Sequence, residues 1–269
     1  MRPFREWKIG VLGSGTMGKQ IALLFAQYGY AVRVWDVGEQ AVLEEKFRKC
    51  KPQLRNLIET TTVLSLLHDV DFVEECIVED LPAKQEIFKQ LGGILGGEVI
   101  IATNTSSLCV ADLARGVSNP AAFCAAHFFN PVGAVRLVEV VTPVAMSEET
   151  RGSVTGLLKS LDREPVFVSD SAGFIVNRLL IPMINEAARL LESRVAAVEE
   201  IDAAMRLGAR LPMGPLALAD FIGLDVCLAI MKNLNSRLSG GYYTVCPLLE
   251  ILVHEGRLGR KTKKGFYVY

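Results

Sequence analysis

An imidazole exchanges a proton near neutral pH, and a carboxylate on its second nitrogen fixes the tautomer and supports the cation that forms. The chain has three histidines. His68 falls in a polar connection and His254 in a late helix beside Glu255, where exposure to solvent is the ordinary expectation. His127 differs, because it closes an apolar run over 122–128 directly before Phe129-Asn130-Pro131, at the kind of edge where sheets bind ligands. Glu139 lies inside a second apolar run, Leu137-Val138-Glu139-Val140-Val141, where an unpaired carboxylate is costly to bury. The two residues are equally far from Gly133, so segments that fold back around 130–133 bring their side chains together across neighbouring strands. Such a dyad is suited to removing a hydroxyl proton; a buried pair that serves only stability is the plain alternative.

A second set of residues fits a dinucleotide. Gly13-Ser14-Gly15-Thr16-Met17-Gly18 is a G-x-G-x-x-G element that follows a strand-like run and opens a helix-period stretch. Gly13 then takes the tight turn, Gly15 lets the backbone approach a pyrophosphate, Gly18 lets helix and strand pack closely, and the helix start at Thr16 and Met17 offers free N–H groups to phosphate. Asp36 ends the next strand, at the distance where an acid accepts the ribose hydroxyls and repels a 2′-phosphate, which selects NAD over NADP, with Arg33 nearby as a complication. The hydroxyl-rich loop Thr103-Asn104-Thr105-Ser106-Ser107 stands at the end of another strand. Ser107 suits a helix cap there, which leaves Ser106 to bond a substrate oxygen; Asn104 and Ser106 are also candidates for binding the cofactor. Asn177 is a polar residue on an otherwise apolar helix and is the remaining candidate for contact with substrate.

The elements that position these residues alternate. Strands are predicted over 8–12, 31–36, 72–78, 99–103, 122–128, 137–141 and 166–169, with helices over 17–28, 40–58, 83–91 and 148–161. That order predicts an α/β, Rossmann-like doubly wound sheet over residues 1–170 as the NAD-binding domain. After Asp170 the strand signals stop, and helices over 175–191, 198–207, 214–232 and 245–255, with breaks at 213–215 and 239–241, predict an all-α domain over 171–269 for substrate and dimerisation. The apolar face Leu179, Leu180, Met183, Ile184, Ala187 and Leu190 fits a second subunit and an ordinary intrachain core equally well.

Bulk properties narrow the partners. With 29 basic and 30 acidic residues the net charge is -1, so no basic surplus exists to neutralise nucleic acid. The longest uncharged stretches are interrupted by Gly, Pro, Asn and Ser well before the ~20 residues of a membrane span, and the first residues lack a secretory signal's apolar stretch. Six cysteines without a Cys-x-x-Cys pair read as reduced thiols of a cytoplasmic protein, with no metal site.

The strings VLGSGTMG, IVEDLPAKQEIF, ATNTSSL, HFFNPV, LVEVV, AGFIVNRLL, EIDAAMRLGARLPMGPLALADFIGLD and GRKTKKGFY run along nearly the whole chain. Together they resemble the 3-hydroxyacyl-CoA dehydrogenase family, especially its short single-function members acting on 3-hydroxybutyryl-CoA or similar acyl chains. The resemblance implies that Ser106, His127, Glu139 and Asn177 are catalytic and that Asp36, Glu79, Lys84 and Asn130 line the NAD pocket. It implies oxidation of a 3-hydroxyacyl thioester, His127 taking the hydroxyl proton as hydride leaves for the nicotinamide, in a homodimer formed through the helical domain. One departure stands out: between Asp36 and IVED the chain is shorter than typical members, which insert a helical pair that helps hold coenzyme A. A cousin, the lambda-crystallin type, shares the Ser/His/Glu/Asn set and oxidises a sugar acid (gulonate). A dehydrogenase of a small non-thioester hydroxy acid therefore stays open, as does a silent NAD-binding structural protein.

Overall fold

A computed structural model describes residues 3–238, 240, 241 and 243–269, and of Arg5 the backbone alone. The chain divides into two compact units, Met1–Ser171 and Ala172–Tyr269.

The first unit is built on an eight-stranded sheet: β1 (Lys8–Leu12), β2 (Ala31–Trp35), β3 (Ile58–Thr61), β4 (Phe72–Glu75), β5 (Ile100–Thr103), β6 (Phe123–Phe128), β7 (Leu137–Thr142) and β8 (Glu164–Ser169). Helices α1 (Thr16–Gln27), α2 (Gln40–Arg48), α3 (Pro52–Arg55), α4 (Leu81–Gly92), α5 (Val110–Leu113) and α6 (Glu148–Ser160) connect them. Spatial order is β3-β2-β1-β4-β5-β6-β7-β8. Strands β1 to β6 run parallel, β7 returns antiparallel on β6, and β8 lies parallel to β7. The chain winds outward from β1 to β3 and then crosses to β4 on the other side of β1. The carboxyl ends of β1 and β4 thus form a topological switch point, the place where open α/β sheets bind ligands. Apolar residues of β1, β4 and β6 pack on those of α1 and α6, with Phe25 and Phe72 fully buried between the layers.

Two stretches depart from the periodicity reading. The helix expected over 40–58 ends at Arg48, because Pro52 cannot continue it, and Ile58–Thr61 pairs with β2 as an edge strand. The strand expected over 72–78 stops at Glu75, whose carboxylate accepts from the Ile77 N–H at 2.7 Å and turns the chain away from the ladder.

The second unit is helical: α7 (Val176–Glu192), α8 (Val198–Gly208), α9 (Pro215–Ile222), α10 (Leu224–Arg237) and α11 (Pro247–His254). The helix expected over 214–232 is two helices, broken where Gly223 adopts φ 108°, a value that a side chain resists. Buried Asp202 accepts from the Leu216 and Ala217 N–H groups at 2.8 and 2.9 Å and so seats the positive end of α9. Of the expected break at 239–241, Ser239 lies outside the described residues. Among those described, no helix is long and apolar enough to cross a membrane, no cluster of ligating side chains could hold a metal ion, and the six cysteines are free thiols.

Glu74 of β4 is fully buried between Val11 and Ala102, and neither of its oxygens has a hydrogen-bond partner among the described residues. Burial, reinforced by the like charge of Glu75 and opposed by Lys84, pushes its carboxyl well above the ordinary value. The folded chain therefore retains a proton that the unfolded chain releases, and stability falls as pH rises above the normal glutamate range. Urea unfolding should show Glu74→Leu gaining on the parent as pH rises above about 5, by up to about 1.4 kcal/mol per pH unit. A margin independent of pH would contradict the protonated state.

Candidate active site

The glycine turn joins β1 to α1 at the switch point. Gly13 adopts φ 90°, its N–H donates to the Trp35 carbonyl at 2.8 Å, and a Cβ on it would lie 2.5 Å from the Cys76 carbonyl oxygen. A Cβ on Gly18 would overlap the Gly13 carbonyl, so helix and turn meet there without room for a side chain. Gly15 is the opposite case, with nothing within 4 Å of such an atom. The open space above Gly15, at the start of a twelve-residue helix whose first residues are Thr16 and Met17, leaves room for a pyrophosphate. The residues present fit a dinucleotide.

Asp36 stands just beyond β2, half-buried at the same edge. Its Oδ2 accepts from the Ser14 N–H at 2.7 Å and from the Ser14 hydroxyl, and its Oδ1 accepts from the Val37 N–H at 2.8 Å. Burial pushes this carboxyl up, but the bonds from Ser14 and Val37, with Lys46 close by, outweigh it and hold the group below its ordinary value. Lys46, on α2, donates to the Ser14 hydroxyl and lies 3.7 Å from Asp36 Oδ2. Arg33 is engaged elsewhere, with Glu59 at 2.8 Å and Asp69 at 2.5 Å.

The loop after β5 is fixed by one acid. Glu79 Oε1 accepts from the Thr105 hydroxyl at 2.6 Å, the Ser106 and Ser107 N–H groups at 3.0 and 3.1 Å, and the Ser107 hydroxyl at 2.9 Å. Burial pushes Glu79 up; the Thr105 bond, the Lys84 cation and the Ser107 and Ser106 bonds together hold it below its usual value. Ser107 therefore anchors the loop and does not cap a helix, since α5 begins only at Val110, after Cys109. The Ser106 hydroxyl makes no hydrogen bond among the described residues and is only half-buried, whereas Asn104 accepts from the Phe128 N–H at 2.9 Å and ties β5 to the end of β6. Lys84 is 1% exposed, 2.5 Å from Glu75 Oε1 and 3.5 Å from Glu79 Oε2. Thr103 completes this network by donating to Glu75 Oε2 at 2.5 Å.

His127 and Glu139 are register partners on β6 and β7. The ring nitrogen Nδ1 lies 2.9 Å from Glu139 Oε2, with the histidine 6% exposed and the glutamate fully buried. The Phe129 ring sits 4.5 Å from the imidazole, centroid to centroid. The reversal between these strands is held by Gln20 of α1, which accepts from the Val132 N–H at 2.9 Å and donates to Asn130 Oδ1 at 3.0 Å, and by buried Arg163, which donates to the Val135 carbonyl at 2.9 Å. His68 and His254 are exposed. Asn177 belongs to the second unit, where it is buried in the first turn of α7.

Sequence reasoning placed Thr103 and Thr105 in the hydroxyl-rich loop without giving them a role, and it missed Glu75, Gln20, Arg163 and Lys46. Only Glu75 carried a usable signal, being an acid within an apolar strand run.

Residues 8–171 match the 3-hydroxyacyl-CoA dehydrogenase NAD binding domain, and residues 173–269 match the 3-hydroxyacyl-CoA dehydrogenase C-terminal domain. A 3-hydroxybutyryl-CoA dehydrogenase of Clostridioides difficile is 43% identical over 278 aligned residues, covering 97% of this chain and 99% of that protein. The crystal structure of a (S)-3-hydroxybutyryl-CoA dehydrogenase from Ralstonia eutropha superposes with a TM-score of 0.90 at 39% identity, covering 98% of this chain and 99% of the other. A diketoreductase, described as acting on dicarbonyl compounds, superposes with a TM-score of 0.86 at 28% identity, with 98% and 99% covered.

The two glycines separate folding from binding. Gly15→Ala should melt within about 2 °C of the parent, as surface changes of under ~0.5 kcal/mol do, yet bind NADH at least about tenfold more weakly because its methyl enters the phosphate cradle. Gly18→Ala should cost about 1–3 kcal/mol of stability through overpacking. Calorimetric titration and thermal melting check both; a Gly15→Ala protein with parental NADH affinity would empty the cradle of meaning.

Proposed function

The chain belongs to the 3-hydroxyacyl-CoA dehydrogenase family, and we propose that it oxidises a (S)-3-hydroxyacyl-CoA to the 3-oxoacyl-CoA with NAD, or runs the reverse reduction. The observation that carries this reading is the buried bond between His127 Nδ1 and Glu139 at 2.9 Å, at the same sheet edge as the glycine turn. With Nδ1 turned to the carboxylate, Nε2 is the nitrogen that takes the proton from the substrate's 3-hydroxyl. Glu139 holds the tautomer and stabilises the imidazolium that results. Bound NAD supplies the hydride acceptor.

Ser106, on the loop that Glu79 fixes, donates a hydrogen bond to the substrate oxygen, and Asn177 is assigned a second bond to it. Gly13, Gly15, Thr16, Met17 and Gly18 receive the pyrophosphate, and Asp36 the adenine-side ribose. Glu79, Lys84, Asn104 and Asn130 serve the nicotinamide side by holding the loops that end β5 and β6. We place the protein in the cytoplasm as a homodimer, the partner covering the outward stripe of α7 where Leu179 is 70% and Leu190 38% exposed.

A second substrate class rests on two observations. The alignment with the Clostridioides difficile protein spans 278 positions against 269 residues here, so that relative carries residues this chain lacks, and the diketoreductase shares the fold. A panel of 3-oxoacyl-CoA thioesters of increasing length, beside free hydroxy acids and diketones, separates the classes: NADH-dependent reduction of acetoacetyl-CoA is expected, and turnover of free acids alone overturns the thioester reading. His127→Ala should lose ~10²–10⁴ in kcat while binding NADH as the parent does. A loss under ~10-fold contradicts the role given to His127.

A further inference from the structure

An acid at the end of β2 has two effects: it bonds the ribose 2′-hydroxyl, and its charge excludes the 2′-phosphate of NADP. In this chain that acid is not an isolated charge. Lys46 Nζ lies 3.7 Å from Asp36 Oδ2 and donates to the Ser14 hydroxyl, which itself donates to Asp36. The cation is fixed by the fold, because Leu43 and Phe47 on either side of it are buried and pin α2 against the core. Its side chain remains 37% exposed, so Lys46 is not sealed inside the fold.

Arg33, the basic residue that the sequence draws attention to, is held by Glu59 and Asp69, so the cation beside the ribose acid is Lys46. The 2′-oxygen is the atom an acid at this position bonds. A phosphate on that oxygen therefore meets an ammonium as well as a carboxylate, and the two charges largely cancel at short range.

We infer that Lys46 is a specificity-determining residue, which offsets the charge of Asp36 and donates to a 2′-phosphate, and so sets how narrowly the site prefers NADH over NADPH. This rests on the dinucleotide site alone and is independent of the acyl substrate. It differs from a purely structural role, in which Lys46 only steadies Ser14 and Asp36 and its loss weakens both nucleotides alike.

The test is calorimetric titration of the parent, Lys46→Met and Lys46→Arg proteins with NADH and with NADPH, each first matched to the parent by thermal melting. Lys46→Gln replaces the methionine variant if that one does not fold. Removing the cation should raise the ratio of the NADPH to the NADH dissociation constant by about tenfold or more, and Lys46→Arg should hold it within about threefold of the parent. The tenfold effect should shrink as ionic strength rises past about 0.15 M, since partly exposed charges are screened. Equal weakening of the two nucleotides overturns the inference, as does an unchanged ratio. A parent that binds neither nucleotide overturns the dinucleotide site and this inference with it, whereas inactivity toward acyl thioesters leaves the titrations standing.

Discussion

Glu139 lies wholly out of water in the middle of β7, and a carboxylate in that position persists only against a donor. The neighbouring strand β6 supplies one, its register setting His127 directly opposite. That pairing holds only while the reversal between the strands keeps its length and shape, which is why Gln20 and Arg163 both spend their side chains on its backbone. Electrostatic necessity in one strand thus fixes the position and ring orientation of an imidazole at the sheet's ligand edge. A base that is already oriented before substrate arrives has no reorganisation left to undergo during proton transfer.

Acids organise other parts of the chain in the same manner. Glu75 gathers Lys84, Thr103 and the Ile77 N–H, Glu79 gathers the loop that carries Ser106, Asp202 seats α9, and Asp220 receives the Phe266 and Tyr267 N–H groups at 2.9 and 2.8 Å. Each carboxylate converts a connection that its own backbone bonds do not determine into a fixed one. Glu74 stands apart, because its burial is relieved by protonation and not by a donor.

What could be read from the residues alone follows physical lines. The glycine turn, the strand-to-helix alternation and the meeting of His127 with Glu139 were legible because each depends on short spacing or on one unfavourable burial that demands a remedy. The edge strand at Ile58–Thr61 was not, since Ile-Glu-Thr-Thr has no apolar alternation and gains its place only by pairing with β2. Nor was the split at Gly223, where apolar periodicity continues across a residue whose φ alone breaks the helix. Lys46 was invisible for a different reason: ten positions beyond Asp36, in a charged helix, its proximity to that carboxylate arises from how α2 packs. The reasoning that singled out Glu139 applies equally to Glu74-Glu75 in the run 72–78, and there it would have pointed to the Lys84 network.

The isosteric change Glu139→Gln tests the role proposed for Glu139 as the counter-charge that steadies the cation formed on His127. A glutamine can still accept from Nδ1, so geometry is retained while the negative charge is removed. Steady-state kinetics in the oxidation direction, measured beside NADH affinity and melting temperature, read the consequence. A fall in kcat of about tenfold or more is expected, because the imidazolium has lost its counter-charge, with NADH affinity unchanged. A Glu139→Gln protein with parental kcat would contradict this role.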